Sequence, residues 1–161
     1  MIKAGDKLPA ATFQKMGANG PEAVTVEALT KGRKVVIFGL PGAYTGTCST
    51  SHVPSFIRTA KDFAAKGVDE IVCVSVNDVF VMKAWGESTG ATAAGINMLG
   101  DGTSEFTKAL GMVFDAPAVG LMGRSKRYSM YLVDGVVKRF NPEIDTGVCD
   151  LSGGEALLEQ I

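Results

Sequence analysis

The sequence predicts an α/β fold with a central mixed β-sheet flanked by helices, and three patterns support this prediction. Two apolar runs at residues 35–39 and 71–76 are rich in β-branched side chains, which is typical of strands buried on both faces. Between them, apolar residues from 53 to 63 recur at the spacing of one helix face, so a strand–helix–strand unit is expected. Near the end of the chain, Asp134-Gly135 separates two β-rich runs, and such a pair indicates a hairpin. The sheet is therefore expected to be parallel in part and closed by one antiparallel hairpin.

The remaining segments are assigned in order along the chain. Residues 1–33 are weakly patterned and predict at most a short strand or hairpin. A second helix is expected after Asp78, whose carboxylate can cap it, and a third helix is expected after Asp101. The last helix is predicted to follow Ser152, because Ser152 and Glu155 have the spacing of a capping box.

Length, charge and cysteine usage limit the class of protein. At 161 residues and 16.8 kDa, the chain is expected to form a single domain over residues 1–161 with one core. A net charge of −1 argues against a general nucleic-acid binder, which usually carries a basic excess. One histidine and three cysteines without a C-x-x-C pair argue against structural zinc, so no metal is expected. No apolar signal segment and no long apolar window occurs, which predicts a soluble cytoplasmic protein with no membrane association.

The segment at residues 39–57 contains the candidate chemistry. It lies where the first buried strand ends and the first long helix begins, and open α/β sheets bind ligands at this carboxyl edge. Thr45 and Thr47 are suitable N-caps, which places Cys48 in the first helical turn, where the helix dipole and free N–H groups stabilise a thiolate. Because the thiolate is the nucleophilic form, Cys48 is a candidate nucleophile. The alternative at this point is an inert, buried cysteine that only fills space.

His52 and Arg127 are further candidates near this chemistry. His52 lies four residues after Cys48 and can share its helix face, but this spacing rarely directs an imidazole at the sulfur. His52 is therefore interpreted as a structural histidine that is hydrogen-bonded near the site. Arg127 begins a predicted hairpin strand within a basic cluster, and the pattern alone predicts a solvated surface charge.

Two blocks of the sequence resemble the active-site segments of the peroxiredoxin family. Pro41-x-x-x-Thr45-x-x-Cys48 is similar to the family signature P-x-x-x-T/S-x-x-C. The longer string PGAYTGTCSTSHVPSF resembles the type II branch, which includes the peroxiredoxin-5 group. KRYSM at 126–130 resembles the arginine strand of the family, and this resemblance assigns Arg127 as the active-site arginine.

The resemblance extends over nearly the whole chain and includes two departures. SVNDVFVMKAWG at 75–86 and AGDKLP at 4–9 also match, in the family's order and spacing. Gly46 stands where the branch usually has proline, and Ser55 stands where glycine is common. Glycine is expected to loosen the loop before the cysteine, because it restricts the backbone less than proline does. Neither departure removes a catalytic group.

The resemblance implies a thioredoxin-like fold and a thiol peroxidase that needs no cofactor. It implies that a Cys48 thiolate attacks a peroxide oxygen and becomes a sulfenic acid, while water or an alcohol leaves. Arg127 and Thr45 would bind the peroxide or the sulfur, and Pro41 would shield the sulfenate from water. A dithiol oxidoreductase of thioredoxin type is disfavoured because position 45 is threonine. A redox sensor or chaperone-like interaction protein on the same fold is the other class of function.

Three routes are open for recycling the sulfenic acid. Cys149 lies in a Gly/Asp/Ser loop that should be exposed and mobile, and the resemblance to the peroxiredoxin-5 group makes it the internal candidate. Cys73 lies in mid-strand and is expected to be inert, although plant type II relatives carry a cysteine at the matching place. The third route is an external thiol. The resemblance implies glutathione, glutaredoxin or thioredoxin as the reductant, and it implies a homodimer.

Overall fold

The centre of the structure, a computed structural model that describes residues 1–161, is a seven-stranded mixed β-sheet. The chain forms nine strands: β1 (Thr12–Gly17), β2 (Gly20–Thr25), β3 (Lys34–Leu40), β4 (Glu70–Ser75), β5 (Asn97–Gly100), β6 (Val113–Ala116), β7 (Leu121–Ser125), β8 (Tyr128–Val133) and β9 (Val136–Pro142). In the large sheet they lie in the order β2-β1-β5-β4-β3-β8-β9, and β6 and β7 form a separate two-stranded sheet.

The parallel part of the sheet consists of β3, β4 and β5. Strand β3 pairs in parallel with β4, and β4 with β5, whereas β8 runs antiparallel to β3 and β9 to β8. Every residue of β3 after Lys34 is buried, as the continuous apolar run predicts. Strand β5 was not predicted, because its four residues are too few to show a periodic pattern. The predicted sheet, parallel in part and closed by an antiparallel hairpin, is confirmed.

Five helices cover the two faces of the sheet: α1 (Val26–Thr30), α2 (Val53–Ala65), α3 (Val79–Thr89), α4 (Glu105–Leu110) and α5 (Gly154–Leu158). One face packs against α2, α3 and α5 through side chains that include Phe56, Trp85 and Leu157. The opposite face packs against α1 and α4, with Leu29 and Phe106 in its core. No helix has the length and the apolar content that crossing a membrane requires.

The predicted Asp-Gly turn joins β8 to β9. Asp134 and Gly135 have φ values of 50° and 75°, which are the left-handed values that a type I′ turn needs at both central positions. The Asp134 carboxylate also accepts the Gly32 N–H at 2.6 Å. At the other end of the chain, β1 and β2 form the hairpin that the weak pattern of residues 1–33 predicts, and α1 follows it.

The capping box predicted for the last helix does not form. Gly153 rather than Ser152 is the N-cap of α5, and the N–H of Gly154 at the start of this helix donates to Ser55 Oγ from α2. The Ser152 hydroxyl donates instead to Glu143 Oε1 at 3.0 Å, and the Glu155 carboxylate pairs with Arg58 at 2.8 Å. Glu143 and Arg58, which lie outside α5, therefore take the place of the two capping-box contacts.

Candidate active site

Cys48 lies at the start of the helical segment that follows the carboxyl end of β3. The chain leaves the sheet at Leu40, passes through a loop and forms a π-helical turn over Cys48–His52, which continues into α2. The Val53 N–H donates to the Cys48 carbonyl, and Cys48 is only 1% exposed. The predicted position at the carboxyl edge of the sheet, where the helix begins, agrees with the structure.

The two threonines that were predicted to cap this helix have other partners. The Thr45 hydroxyl donates to the Gly42 carbonyl at 2.7 Å, and the Thr47 hydroxyl donates to the Gly147 carbonyl at 2.9 Å. No side-chain cap precedes the π-helical turn. Thr47 is the N-cap residue of this turn by position, as predicted, but neither threonine caps it with its side chain, because carbonyls of the preceding loop and of the C-terminal segment bind these hydroxyls.

Arg127 is buried beside Cys48 rather than on the surface. Its Nη2 atom lies 3.3 Å from Cys48 Sγ, and the residue is 1% exposed. The register of the sheet explains this placement: Gly39, near the end of β3, pairs with Tyr128, the first residue of β8. Because β8 runs antiparallel to β3, the residue before Tyr128 lies at the same edge as the loop that leads to the cysteine.

Backbone and imidazole acceptors fix the orientation of the Arg127 guanidinium. Its Nε and Nη2 atoms donate to the Thr146 carbonyl at 3.2 and 2.8 Å, and its Nη1 atom donates to His52 Nδ1 at 3.0 Å. The ion pairs of the structure involve other residues, so Arg127 has no carboxylate partner. A buried cation without a carboxylate stabilises an anion in contact with it, and the Cys48 sulfur occupies that position.

His52 is a structural, hydrogen-bonded histidine, in agreement with the interpretation from the sequence, and its ring is neutral. Its ring is fully buried, its Nδ1 atom accepts from Arg127, and its Nε2–H donates to the Ser152 carbonyl at 3.0 Å. Burial and, second, the charge of Arg127 lower the pKa of His52 to about 3. The neutral ring therefore orients Arg127 and anchors the segment that precedes α5.

Pro41 and Thr45 lie in the loop that precedes Cys48, hereafter the 41–45 loop. Pro41 is buried and Thr45 is half-buried. Because the Thr45 hydroxyl gives its proton to the Gly42 carbonyl, its oxygen is left as an acceptor. No hydrogen bond joins this hydroxyl to Cys48 Sγ, so the structure does not show the direct contact with sulfur that the resemblance allowed.

Two residues that hold this loop were not predicted as site residues. Arg124 Nη1 donates to the Pro41 carbonyl at 3.0 Å, and Asn77 Oδ1 accepts the Ala43 N–H at 3.0 Å. Arg124 belongs to the basic cluster around Arg127, and Asn77 directly precedes the helix predicted after Asp78. The block at 75–86 marked the neighbourhood of Asn77 by resemblance, but no local pattern indicates a contact across more than thirty residues.

The two other cysteines differ in accessibility. Cys73 is fully buried in β4, and burial raises the pKa of its thiol well above the ordinary value, which fits an inert core thiol. Cys149 lies between β9 and α5 in a segment that is mostly exposed, although Cys149 itself is half-buried. Burial also raises the pKa of Cys149. All three cysteines are free thiols.

Hydrogen bonds connect the segment around Cys149 to the active site, both before and after the cysteine. Thr146 accepts from Arg127, Gly147 accepts from Thr47, and Ser152 accepts from His52. Glu143 supports the same segment, since its Oε1 atom accepts the N–H groups of residues 150 and 152. Glu143 was not predicted as a site residue, and no pattern in the sequence marks it.

The comparisons with known proteins agree with this geometry. The chain matches the family model described as Redoxin over residues 3–158. It is 48% identical over 164 residues to Peroxiredoxin-2E-2, chloroplastic, of Oryza sativa subsp. japonica. The aligned region covers 99% of this chain and 72% of that protein. It is also 49% identical over 131 residues to Peroxiredoxin-2F, mitochondrial, of Arabidopsis thaliana. In this case the aligned region covers 81% of this chain and 65% of that protein.

These relatives correct the predicted location. The prediction of a cytoplasmic protein is wrong by this comparison, because the relatives with these identities are named as chloroplastic or mitochondrial. The prediction depended on the lack of an apolar signal segment. That lack bears on secretion only, because segments that direct proteins to chloroplasts and mitochondria have a different, amphipathic and arginine-rich composition.

A solved structure supports both the fold and the activity. The crystal structure of reduced Prx3 in complex with hydrogen peroxide from Vibrio vulnificus is 44% identical to this chain, with a TM-score of 0.93 and coverage of 99% of both chains. The thioredoxin-like fold and thiol peroxidase activity are thereby confirmed. The family match and these identities show that the chain belongs to the peroxiredoxin family, in its type II branch.

Proposed function

We propose that this peroxiredoxin reduces hydrogen peroxide and alkyl hydroperoxides with Cys48 as the attacking residue. One observation supports this assignment most directly: the buried Arg127 guanidinium lies 3.3 Å from Cys48 Sγ and has no carboxylate partner. The Vibrio protein of the same fold is described in complex with hydrogen peroxide, which supports peroxide as the substrate.

In the proposed reaction, the Cys48 thiolate attacks one oxygen of the peroxide. A bond forms between sulfur and that oxygen, the O–O bond breaks, and the departing oxygen takes up a proton to leave as water or an alcohol. Cys48 is thereby oxidised to a sulfenic acid, and the peroxide is reduced. Arg127 stabilises both the thiolate and the charge that develops on the departing oxygen, because its donors remain protonated.

Thr45 and Pro41 are proposed to shape the peroxide pocket. The Thr45 oxygen is an available acceptor for the peroxide proton, since its own proton is bound to the Gly42 carbonyl. Pro41, the first residue of the 41–45 loop, is buried, and its ring limits the access of water to the sulfenic acid. In this proposal Cys48, Arg127, Thr45 and Pro41 form the catalytic site.

Recycling of the sulfenic acid is proposed to use a thiol from glutathione, glutaredoxin or thioredoxin, with Cys149 as the internal candidate. Condensation of the sulfenic acid with a thiol forms a disulfide and releases water, and a second thiol then restores Cys48. The half-buried position of Cys149, in a segment that contacts Arg127 through Thr146, supports Cys149 over the fully buried Cys73.

The overall organisation is proposed to be a single redoxin domain that forms homodimers. The family match over residues 3–158 supports one domain. The type II branch supports the dimer. Several large apolar side chains are exposed in segments next to the site, among them Tyr44, Phe80 and Leu151. Sedimentation equilibrium tests the dimer: a mass of one chain at micromolar concentration would contradict it.

The experiment that tests the proposed function follows the thiols after one equivalent of peroxide. Rapid loss of the Cys48 thiol is expected, and Cys48→Ser should abolish peroxide turnover and retain the fold. Cys73→Ser is the matched control, because it alters a buried thiol that the reaction does not use. Slow oxidation of Cys48 at the rate of a free thiol contradicts the assignment. Peptide mass spectrometry of the same sample distinguishes a Cys48–Cys149 disulfide from a persistent sulfenic acid that glutathione captures.

A further inference from the structure

The backbone of the 41–45 loop is held from outside by two side chains. Arg124, in β7, donates to the Pro41 carbonyl at 3.0 Å, and Asn77, between β4 and α3, accepts the Ala43 N–H at 3.0 Å. Between these two contacts, the Gly42 carbonyl accepts the Thr45 hydroxyl. Three successive residues of the loop therefore have a backbone group bound by a side chain.

The side chain of Asn77 is itself fixed. The hydroxyl of Ser75, a fully buried residue at the end of β4, donates to the same Oδ1 atom at 2.6 Å. Because both partners are donors, the oxygen of the amide must face them. The next residue, Asp78, caps α3 by accepting the Val81 N–H at 2.9 Å. Asn77 thus connects the loop to a rigid junction of a strand and a helix.

The contact of Arg124 explains why position 42 is glycine. A methyl group at Gly42 would overlap the Arg124 guanidinium, so the absence of a side chain lets the arginine reach the Pro41 carbonyl. The overlap involves the mobile end of a long side chain. Alanine at position 42 is therefore expected to displace Arg124 rather than to prevent folding.

The loop needs such support because one of its residues has an unfavourable backbone conformation. Tyr44 has a φ of 60°, in the left-handed region that residues with a side chain rarely adopt because the Cβ atom crowds the backbone. Tyr44 is also exposed, so its own side chain contributes little packing that would hold this conformation. Contacts made by the neighbouring residues must therefore maintain the loop.

We propose that Asn77 and Arg124 are positioning residues for peroxide reduction. They fix the 41–45 loop, which keeps the Thr45 oxygen and Pro41 in place next to Cys48 and Arg127. This inference rests on the proposed function of Cys48. Neither residue contacts the sulfur or is required to form the thiolate, because Arg127 and the start of the helix supply that stabilisation.

The test compares two reactions of the same sulfur. Oxidation by hydrogen peroxide requires the organised pocket, whereas alkylation by iodoacetamide requires only an accessible thiolate. In Asn77→Ala and Arg124→Ala, we expect the rate constant for oxidation to fall about tenfold or more, because small displacements of oriented groups are costly. Alkylation of Cys48, followed by mass spectrometry of its peptide, should be unchanged or faster.

Rescue and control variants separate positioning from a general loss of structure. Asn77→Asp keeps the acceptor oxygen and should recover most of the oxidation rate, and Gly42→Ala should reproduce the defect of Arg124→Ala. Asp78→Ala removes the cap of α3 without touching the loop, so it lowers the urea concentration at which the protein unfolds and leaves the ratio of oxidation to alkylation unchanged.

Two outcomes overturn the inference. If Asn77→Ala and Arg124→Ala oxidise as fast as the unmodified protein, the loop does not depend on them. If oxidation and alkylation slow down by the same factor, the two residues act on the thiolate or on the fold instead of on the peroxide pocket. Failure of the proposed function gives a different result, since Cys48 would then react slowly with peroxide in the unmodified protein.

Discussion

Arg127 is the residue on which the proposed chemistry depends most, because three acceptors fix its guanidinium beside the sulfur. Nη2 donates to Cys48 Sγ and to the Thr146 carbonyl, Nε donates to the same carbonyl, and Nη1 donates to His52 Nδ1. A lysine in this position provides one compact charge and cannot contact all three at once. The geometry therefore predicts that a cation alone does not replace Arg127.

Arg127→Lys is expected to slow oxidation of Cys48 by peroxide about a hundredfold, the cost typical of losing one oriented donor. The rate is measured by stopped-flow fluorescence of Trp85, the only tryptophan, whose Nε1–H donates to Ser49 Oγ next to Cys48. Arg58→Lys is the matched control, because Arg58 forms an exposed ion pair with Glu155. An unchanged rate in Arg127→Lys would contradict the role of the guanidinium.

Individual site residues were predictable from the sequence to different degrees. The position of Cys48 at the start of a helix after a buried strand and the structural role of His52 were predicted from the sequence, whereas the neutral state of the His52 ring was not, because it results from burial and from Arg127. The buried position of Arg127 did not follow from local pattern, because it depends on how β8 pairs with β3. Only the resemblance to peroxiredoxins identified it. Asn77 and Arg124 contact the 41–45 loop through hydrogen bonds between distant parts of the chain. Neither the local sequence pattern nor the resemblance to peroxiredoxins identified them as site residues.

At the scale of secondary-structure elements, the start of the helix that bears Cys48 contains a glycine with open surroundings. A side chain at Gly46 would meet no atom within 4 Å, its φ is not in the left-handed region, and its N–H donates to no backbone carbonyl. These conditions suit proline at the first positions of a helix. The flexibility of Gly46 is therefore dispensable for the fold.

Gly46→Pro is expected to raise the free energy of unfolding by roughly 0.5–1 kcal/mol, since it restricts the unfolded chain and removes no hydrogen bond. The change is measured by urea denaturation, with Gly46→Ala as the control that adds a side chain and retains the N–H. Peroxide reduction should be retained. A lower free energy of unfolding in Gly46→Pro would show that the native loop requires a conformation that proline cannot adopt.

The packing of α5 on α2 depends on a glycine. A side chain at Gly154 would overlap the Ser55 carbonyl and the Thr59 hydroxyl, and the Gly154 N–H donates to Ser55 Oγ at 2.9 Å. Gly154→Ala is therefore expected to lower the free energy of unfolding by about 1–3 kcal/mol, as overpacking does. Gly153→Ala is the matched control, because a side chain there meets only ordinary contacts. Equal stability of the two variants, measured by urea denaturation, would contradict the close approach of the helices.

Elements with a strong pattern were predicted well, whereas their ends were not. The apolar runs and the Asp-Gly pair specify β3, β4 and the hairpin of β8 and β9, because burial on both faces and turn geometry are local constraints. The Thr47 and Ser152 hydroxyls do not cap their helices, because the first donates to the Gly147 carbonyl and the second donates to the Glu143 carboxylate. Cap patterns predict a possible partner, and the tertiary structure supplies the competing one.

At the scale of the whole molecule, the buried neutral His52 couples the active site to stability. Its pKa in the folded protein is about 3, because burial and the charge of Arg127 disfavour the protonated ring, whereas an exposed histidine has a pKa of about 6.5. As the pH falls below the unfolded value, the unfolded chain binds a proton that the folded protein does not. The contribution of His52 to stability is thus fully present above about pH 6.5 and is lost as the pH falls towards 3.

The free energy of unfolding should therefore decrease by as much as about 1.4 kcal/mol per pH unit between about pH 6 and pH 4 through His52 alone. The decrease is measured by urea denaturation against His52→Asn, which lacks this titration; Asp101, whose pKa burial raises, titrates in both proteins and cancels. His52 is also the only histidine, so the two carbon-bound protons of its ring give one assignable pair of NMR signals that should not shift between about pH 8 and pH 5. Two results would contradict the neutral ring that orients Arg127. One is an NMR titration of His52 in the folded protein with a midpoint near the ordinary histidine pKa. The other is a free energy of unfolding that depends equally on pH in the unmodified protein and in His52→Asn.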